Sequence, residues 1–253
     1  YNEKALYENG IKFKSSPAAK PRAKFSALSV FDRIAAFFGA IKAVFQLYAL
    51  YPDVIFSKGG PGSYPTVFAA RILRIPVVIH ESDSVPGKVN VWASRFARRV
   101  AVAYPEAARP MVKPDLVAHT GLPVRKELYT LAHEGAFEFL HLDPNVPVIL
   151  ILSGSDGSET INDNVIDALP ELVKQYQIIH QTGIEVFETV KTTASVVLEN
   201  SEHAERYRPF DYLNTLALRM AAGASSLVIS QGGSTLYEIA LWDKPAVIVP
   251  IRE

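Results

Sequence analysis

The stretch Ser230-Gln231-Gly232-Gly233-Ser234-Thr235-Leu236-Tyr237-Glu238-Ile239 decides how this chain is read. It follows a run of buried type, Ser226-Leu227-Val228-Ile229, and leads into a helical pattern that reaches Leu241. Pro245-Ala246-Val247-Ile248-Val249-Pro250 then reads as the next strand. The glycines therefore sit on a strand-to-helix turn, where open α/β sheets bind ligands. Gly232 and Gly233 are expected to take φ > 0 and to remove side chains that would keep a ligand away. Free N–H groups at the helix start, with the helix dipole, make an anion site there. Glu238 falls about one helical turn beyond Ser234 and Thr235, so it can look back at the same crevice. A carboxylate in that place disfavours phosphate but suits a ribose, whose two hydroxyls can donate to it. Phosphate on the turn and ribose on the acid point to a nucleotide-linked substrate. A plain tight turn with a surface glutamate is the alternative that these residues leave open.

Outward from this stretch, the same strand, glycine turn and helix recur. Upstream, Val146 to Leu152 reads as a strand and Ser153-Gly154-Ser155-Asp156-Gly157-Ser158 as a glycine turn, with a helix over 159–174. Tyr176 to Ile179 is a strand ending at His180-Gln181-Thr182-Gly183. A helix over 184–198, a strand ending at Phe210 and a helix over 211–222 lead back to the opening element. In the first half, a long helical pattern over 26–50 carries too many apolar residues for one narrow stripe. Asp53 to Phe56 is a short strand, followed by the turn Gly59-Gly60-Pro61-Gly62-Ser63 and a helix over 63–73. Pro76 to Ile79 is a strand running into His80-Glu81-Ser82-Asp83. A helix over 88–97 and strands at Arg99 to Ala103 and Asp115 to His119 follow. Alternation of this kind predicts an α/β protein of two doubly wound, Rossmann-like units, both incomplete at the chain ends. The rhythm breaks at Gly121-Leu122-Pro123-Val124-Arg125, and the boundary is placed before Arg125, giving domains 1–124 and 125–253. A cleft between two such units is a natural meeting place for two substrates.

Composition narrows the function classes. The chain of 253 residues is 49% hydrophobic, enough for two modest cores, and its formal net charge is zero. That balance argues against a nucleic-acid partner. Residues 1–50 nevertheless hold eight Lys/Arg against three acids, a local net of +5. The absence of cysteine excludes thiol chemistry, disulfides and cysteine-zinc sites, and fits a reducing compartment. No apolar run reaches the ~20 residues of a membrane span, and no signal peptide is visible. The sequence does not begin with Met and stops directly after a strand, so a fragment of a longer protein at both ends is expected.

Taken together, these motifs resemble glycosyltransferase family 28, the GT-B enzymes that build the lipid-linked peptidoglycan precursor. Pro52-Asp53-Val54 with the Gly59-Gly60 turn, and Ile75-Pro76-Val77-Val78-Ile79-His80-Glu81, match the family's acceptor-side segments. Gly121 to Arg125 is similar to its GNPVR, and Ser153 to Asn162 to its GGSQGAxxxN. His180-Gln181-Thr182-Gly183 is similar to its HQxG, and Phe210 to the aromatic before its uracil contact. Gln231 to Glu238 with Lys244-Pro245-Ala246 resembles its SGALTxxEIxxxGxPA. Each match alone is weak, but seven in order at matching spacing are specific.

The resemblance implies inverting transfer of GlcNAc from UDP-GlcNAc to the C4 hydroxyl of MurNAc in undecaprenyl-pyrophosphoryl-MurNAc-pentapeptide. It assigns Glu238 to the ribose diol, Gly233, Ser234 and Thr235 to the diphosphate and sugar, and Ser155 to the diphosphate. Arg125 would face the leaving group, Phe210 would pack by the uracil, and the Asp211 backbone would read the base edge. The Gly59-Gly60 turn and the segment His80 to Asp83, with Glu81 and Ser82 between its ends, would lie on the acceptor side. Apart from the resemblance, Lys58 precedes that turn and could attract the lipid diphosphate. The family's GGTGGH loop and its base histidine are not in this sequence, which leaves His80 as a fallback base, although a structural histidine fits a strand end better. The family's HxxQ-xxNA segment is absent too, so this stretch alone is expected to be inactive. Ser153 stands where the family has glycine, Asp156 where it has glutamine and Asp83 where it has asparagine. Asp156 would place a negative charge near the diphosphate unless it points away. No metal and no cofactor are expected, UDP-GlcNAc being a substrate. The implied partner is a lipid-linked acceptor at the cytoplasmic face of the bacterial plasma membrane. The 26–50 helix would provide a peripheral contact with the inner-membrane surface through Phe31, Ile34, Phe37, Phe38 and Ile41 beside Lys20, Arg22, Lys24, Arg33 and Lys42. Packing of that helix on the first sheet is the ordinary alternative. A GT-B transferase for another sugar or lipid, and a non-catalytic UDP-sugar-binding or anchoring subunit, are the competing functions. A nicotinamide dehydrogenase is disfavoured because no Gly-x-Gly-x-x-Gly opens a helix.

Overall fold

The computed structural model describes residues 6–7, 10–15, 27–111, 113–154 and 157–250, with the helical backbone alone over 27–36. Two compact units divide between Leu122 and Pro123, two residues before the boundary read from the sequence.

The first unit opens with α1 (Ala27–Leu50), then β1 (Ile55–Ser57), α2 (Tyr64–Ile72), β2 (Val77–Glu81), α3 (Lys88–Ala93), β3 (Arg99–Val102) and β4 (Val117–His119). Its four strands are parallel and lie in chain order, β1-β2-β3-β4. Strand alternation sends Val77 and Ile79 of β2 and Val100 and Val102 of β3 to one face, where they pack with Val67, Ala69 and Ala70 of α2. The small residues Ala40 and Ala43, with Leu47, form the buried face of α1. Its larger residues stay outside: Phe37, Phe38, Phe45 and Tyr48 are 64%, 61%, 69% and 70% exposed. The apolar excess seen in the sequence is therefore a surface property of α1. Helix α2 ends in a Schellman turn, with Ile75 N–H donating to Ala70 O at 2.9 Å and Arg74 N–H to Arg71 O at 3.3 Å. Arg74 occupies the left-handed position at φ 58°, which usually falls to glycine.

The second unit contains α4 (Ala136–Phe139), β5 (Val148–Leu152), α5 (Glu159–Gln175), β6 (Gln177–Gln181), α6 (Phe187–Val197), β7 (Tyr207–Phe210), α7 (Thr215–Ala224), β8 (Leu227–Gln231), α8 (Thr235–Trp242) and β9 (Ala246–Val249). All five strands are parallel, in the order β7-β6-β5-β8-β9. The run Val148-Ile149-Leu150-Ile151-Leu152 is buried throughout because β5 lies centrally and is covered on both faces. Val148, Leu150 and Leu152 pack with Leu218, Ala221, Ile239 and Trp242 of α7 and α8. Ile149 and Ile151 pack with Ile161, Val165 and Leu169 of α5 and Ala194 of α6. Helix α7 begins at Thr215 rather than 211, because Asn214 Oδ1 accepts the Ala217 N–H at 3.0 Å and caps it there. Residues 211–214 are thereby left as a loop after β7. Strand order reverses between β5 and β8, so the C-terminal ends of those two strands open a crevice at a topological switch point.

Candidate active site

That crevice is a cavity of about 450 Å³ within the second unit. Gly154 leaves β5 on one side of it, and Ser230 and Gln231 end β8 on the other. The turn into α8 supplies Gly232, Gly233, Ser234 and Thr235, and Glu238 stands one turn further along. Of the two glycines only Gly233 takes a positive φ, at 158°, and Gly232 does not. A Cβ built on Gly233 would meet no atom within 4 Å, so this position leaves open space, whereas one on Gly232 would touch Val249 O at 3.6 Å. Among the described residues no acceptor takes the Gly233 or Ser234 N–H, whereas Leu236 and Tyr237 donate back to Gly233 O and Ser234 O. Two amides at the start of α8 thus remain for an anion, aided by the helix dipole.

Arg125 and Glu238 face each other across this space. Arg125 Nη2 donates to Glu238 Oε1 at 3.1 Å, with the side chains 41% and 17% exposed. The sequence assigned the two residues to different parts of one ligand, and the structure joins them directly. Phe210 is half-buried, packed against the core of the unit, and is not among the residues that line the cavity. Its carbonyl accepts from Thr182 N at 2.9 Å. The ring that lines the cavity is Tyr212, in the loop that the Asn214 cap leaves free. Asp211 is exposed, with Oδ1 accepting from Tyr212 N. Ser155 and Asp156 lie outside the described residues.

Gln181 holds the crevice in shape. Its Oε1 accepts from Leu213 N at 3.0 Å and its Nε2 donates to Gly154 O at 3.2 Å, tying the loop after β7 to the turn after β5. Beneath the same turn lies a buried polar cluster around His180. Asn162 Nδ2 donates to Thr182 O at 3.0 Å, so its Oδ1 is left to accept from His180 Nε2 at 3.0 Å. His180 Nδ1 then accepts from Tyr207 OH at 2.9 Å, and Ser153 Oγ is 3.1 Å from Nε2. Ser153 thus gains a buried hydrogen-bond contact at a position where the family pattern has glycine. Burial lowers the His180 pKa to about 4 and raises that of Tyr207.

The acceptor-side residues of the sequence reading form a separate group in the first unit. His80 is buried, with Nδ1 at 3.0 Å from Lys58 Nζ and Nε2 at 3.0 Å from Gly121 O. Its Nε2 proton goes to the carbonyl and its Nδ1 lone pair to the ammonium, so neither nitrogen is left to take a substrate proton. The fallback base is corrected to a structural histidine, and Lys58 is drawn to it. Gly59, at φ 86°, is required by close approach, since a Cβ there would lie 2.3 Å from the Asn90 side chain. Gly60, at φ 79°, faces open space. Asp83 is exposed, and its N–H donates to Glu81 Oε1 at 3.1 Å. Glu81, which the sequence reading placed on the acceptor side within His80 to Asp83 without a role of its own, is the buried centre of this group. Its Oε2 accepts from Gly87 N at 2.9 Å and Asn90 Nδ2 at 2.8 Å. A carboxylate inside a strand-end motif is a signal of such a role, because a buried charge has to be matched by N–H donors. Among the described residues no group of three or more His, Asp or Glu could hold a metal ion.

Residues 148–253 match the glycosyltransferase family 28 C-terminal domain and residues 2–102 the glycosyltransferase family 28 N-terminal domain. A Bacillus cereus protein named UDP-N-acetylglucosamine--N-acetylmuramyl-(pentapeptide) pyrophosphoryl-undecaprenol N-acetylglucosamine transferase 2 is 36% identical over 252 residues, 99% of this chain and 68% of that protein. The chain belongs to glycosyltransferase family 28. A Treponema denticola transferase of the same name, without the number, is 35% identical over 96% of the family 28 chain and 63% of its own length. The crystal structure of Acinetobacter baumannii MurG agrees in fold, with a TM-score of 0.64 at 22% identity over 98% of this chain and 67% of that one. The family 28 chain thus spans about two thirds of the length of these relatives. Its cavity lies in the part that matches the C-terminal domain, apart from Arg125, which falls between the two matched regions.

Proposed function

We propose that this protein transfers GlcNAc from UDP-GlcNAc to the C4 hydroxyl of MurNAc in undecaprenyl-pyrophosphoryl-MurNAc-pentapeptide. The observation that carries the reading is the cavity at the strand-order reversal, where unspent amides, a guanidinium and a carboxylate converge. A nucleoside diphosphate sugar needs that combination. The Gly233 and Ser234 N–H groups take the diphosphate together with Arg125, and Glu238 takes the ribose hydroxyls. Tyr212 offers a ring for the base, beside the backbone of Asp211. Thr235 lines the cavity toward the sugar. Inversion follows from a single displacement, in which the C4 oxygen attacks the anomeric carbon as the diphosphate departs. Charge grows on that diphosphate in the transition state, and fixed donors that meet it there lower the barrier. Arg125 is suited to this because a guanidinium keeps its charge and presents a planar fork to oxyanions.

The acceptor is a membrane lipid, and the first unit has features that fit an interfacial contact at the cytoplasmic face. Phe37, Phe38, Ile41, Phe45 and Tyr48 are exposed along α1. A second cavity of about 540 Å³ in the same unit is lined by Arg71, Arg74, Arg98 and Arg99. Apolar rings and guanidinium groups on one unit support binding to an anionic lipid surface. Among the described residues no helix is long and apolar enough to cross a membrane. Lys20, Arg22 and Lys24, and the side chains of Phe31, Arg33 and Ile34, lie outside the described residues.

Calorimetric titration with UDP-GlcNAc, UDP-glucose and NADH tests the donor assignment. UDP-GlcNAc is expected to bind and NADH not to bind. Glu238→Ala should weaken UDP-GlcNAc at least about tenfold, since two charge-assisted hydrogen bonds are removed. Undiminished binding to Glu238→Ala would remove the ribose assignment.

A further inference from the structure

We infer that the Arg125–Glu238 ion pair makes this site select nucleoside diphosphates over nucleosides, because each half of the ligand competes with the other half's protein contact. The inference rests on the proposed reading of Glu238 as the ribose contact and Arg125 as the diphosphate contact. In the structure these two groups neutralise each other at 3.1 Å, inside the cavity that the ligand would fill. Arg125 engages Oε1 of Glu238, so a ribose diol that takes both carboxylate oxygens competes with the guanidinium at Oε1. A nucleoside alone leaves Arg125 without its counter-charge. A nucleoside diphosphate brings that counter-charge with it. The exchange is then balanced: the diphosphate replaces the carboxylate at Arg125 as the diol replaces the guanidinium at Glu238. Base and sugar contacts are therefore coupled to phosphate contacts through a protein ion pair, with no movement of the fold required. Product UDP satisfies both partners in the same way, so its release is expected to depend on the ion pair re-forming.

The prediction runs against the usual effect of deleting a binding residue. In Arg125→Gln the Glu238 carboxylate loses its counter-charge, so uridine should bind more tightly while UDP binds more weakly. The gain for uridine is expected to be about two- to fivefold, the range of a partly exposed ion pair. Salt provides a second test without mutation, because screening weakens the pair. Raising ionic strength should tighten uridine and weaken UDP in the wild-type protein, and the effect on uridine should vanish in Arg125→Gln. Titrations of the 253-residue chain with uridine, UMP and UDP, followed by NMR so that weak binding is read, measure all of this. Spectra of each variant report whether it is folded, and Arg125 is exposed enough for that to be expected. Glu238→Gln separates the two levels of the argument. If UDP binding depends on Glu238 but uridine is unchanged or weaker in Arg125→Gln, the exchange is wrong and the donor site stands. If UDP binds Glu238→Gln as well as wild type, or fails to bind the wild-type chain, the donor reading falls and the exchange with it.

Discussion

Gly59 and Gly60 are neighbours in one turn, yet they answer to different constraints. Both hold a left-handed backbone, at φ 86° and 79°. Alanine at Gly60 meets only that conformational penalty, about 1 kcal/mol. Alanine at Gly59 would in addition drive a methyl group into Asn90, whose Nδ2 is already committed to Glu81 Oε2. Asn90 is buried and holds a hydrogen bond that such a shift would break, so the total should reach about 2–4 kcal/mol. Urea unfolding of the two variants should separate them, and equal midpoints would mean that Asn90 moves aside. The same commitments explain why His80 is poorly placed to serve as a base. A histidine acts as one only when a lone pair faces the substrate, and here Lys58 and Gly121 hold both nitrogens.

At the level of elements, the His180 cluster fastens β6 to β5, α5 and β7 through Ser153, Asn162 and Tyr207. Its energetics are legible in pH. Burial lowers the pKa of His180 from 6.5 to about 4. Between those values the unfolded chain binds a proton that the folded chain refuses. Stability must therefore fall as pH drops from 6.5 toward 4, and this group contributes nothing to the slope above that window. The accumulated loss by pH 4 is about 3 kcal/mol. Urea midpoints measured across the window should shift accordingly, and His180→Gln should flatten that part of the profile while lowering stability at neutral pH. An unchanged slope in the variant would assign the acid sensitivity to other groups. Helix α7 gives a second lesson at this scale. Its Asn214 cap shortens the helix and turns 211–214 into the loop that brings Tyr212 to the cavity.

At the level of the whole molecule, the proposed reading places chemistry on one unit and attachment on the other. The cavity belongs to the second unit and the exposed aromatic face of α1 to the first. Phe37 and Phe38 meet edge to face, with ring centroids 5.8 Å apart, and both are more than half exposed. Replacing the pair by aspartate removes apolar area and adds two negative charges without touching the buried face of α1. Binding to vesicles containing phosphatidylglycerol should fall at least about tenfold, which corresponds to about 1.4 kcal/mol. UDP binding to the same variant should be unaltered. Vesicle binding that survives both substitutions would move the membrane contact away from α1.

The sequence by itself determined the alternation of strands and helices, the glycine turns, the presence of two units and the family. These are local signals: apolar periodicity, the special freedom of glycine and motif spacing are all read along the chain. It also located the crevice beside the Gly232-Gly233 turn, because strand ends and helix starts can be placed without knowing which strands are neighbours. Only the tertiary structure decided which residues share space. The strand order that makes β5 central and opens the crevice beside β8 depends on pairing between distant segments. Arg125 and Glu238 are 113 residues apart, and nothing local announces their ion pair. Phe210 and Tyr212 differ by two positions, yet one is half-buried against the core and the other lines the cavity. Their composition is alike, and only the curvature set by the Asn214 cap and the Gln181 bridge separates them. Side-chain roles of this kind are fixed by distances through space, which a pattern along the chain does not contain.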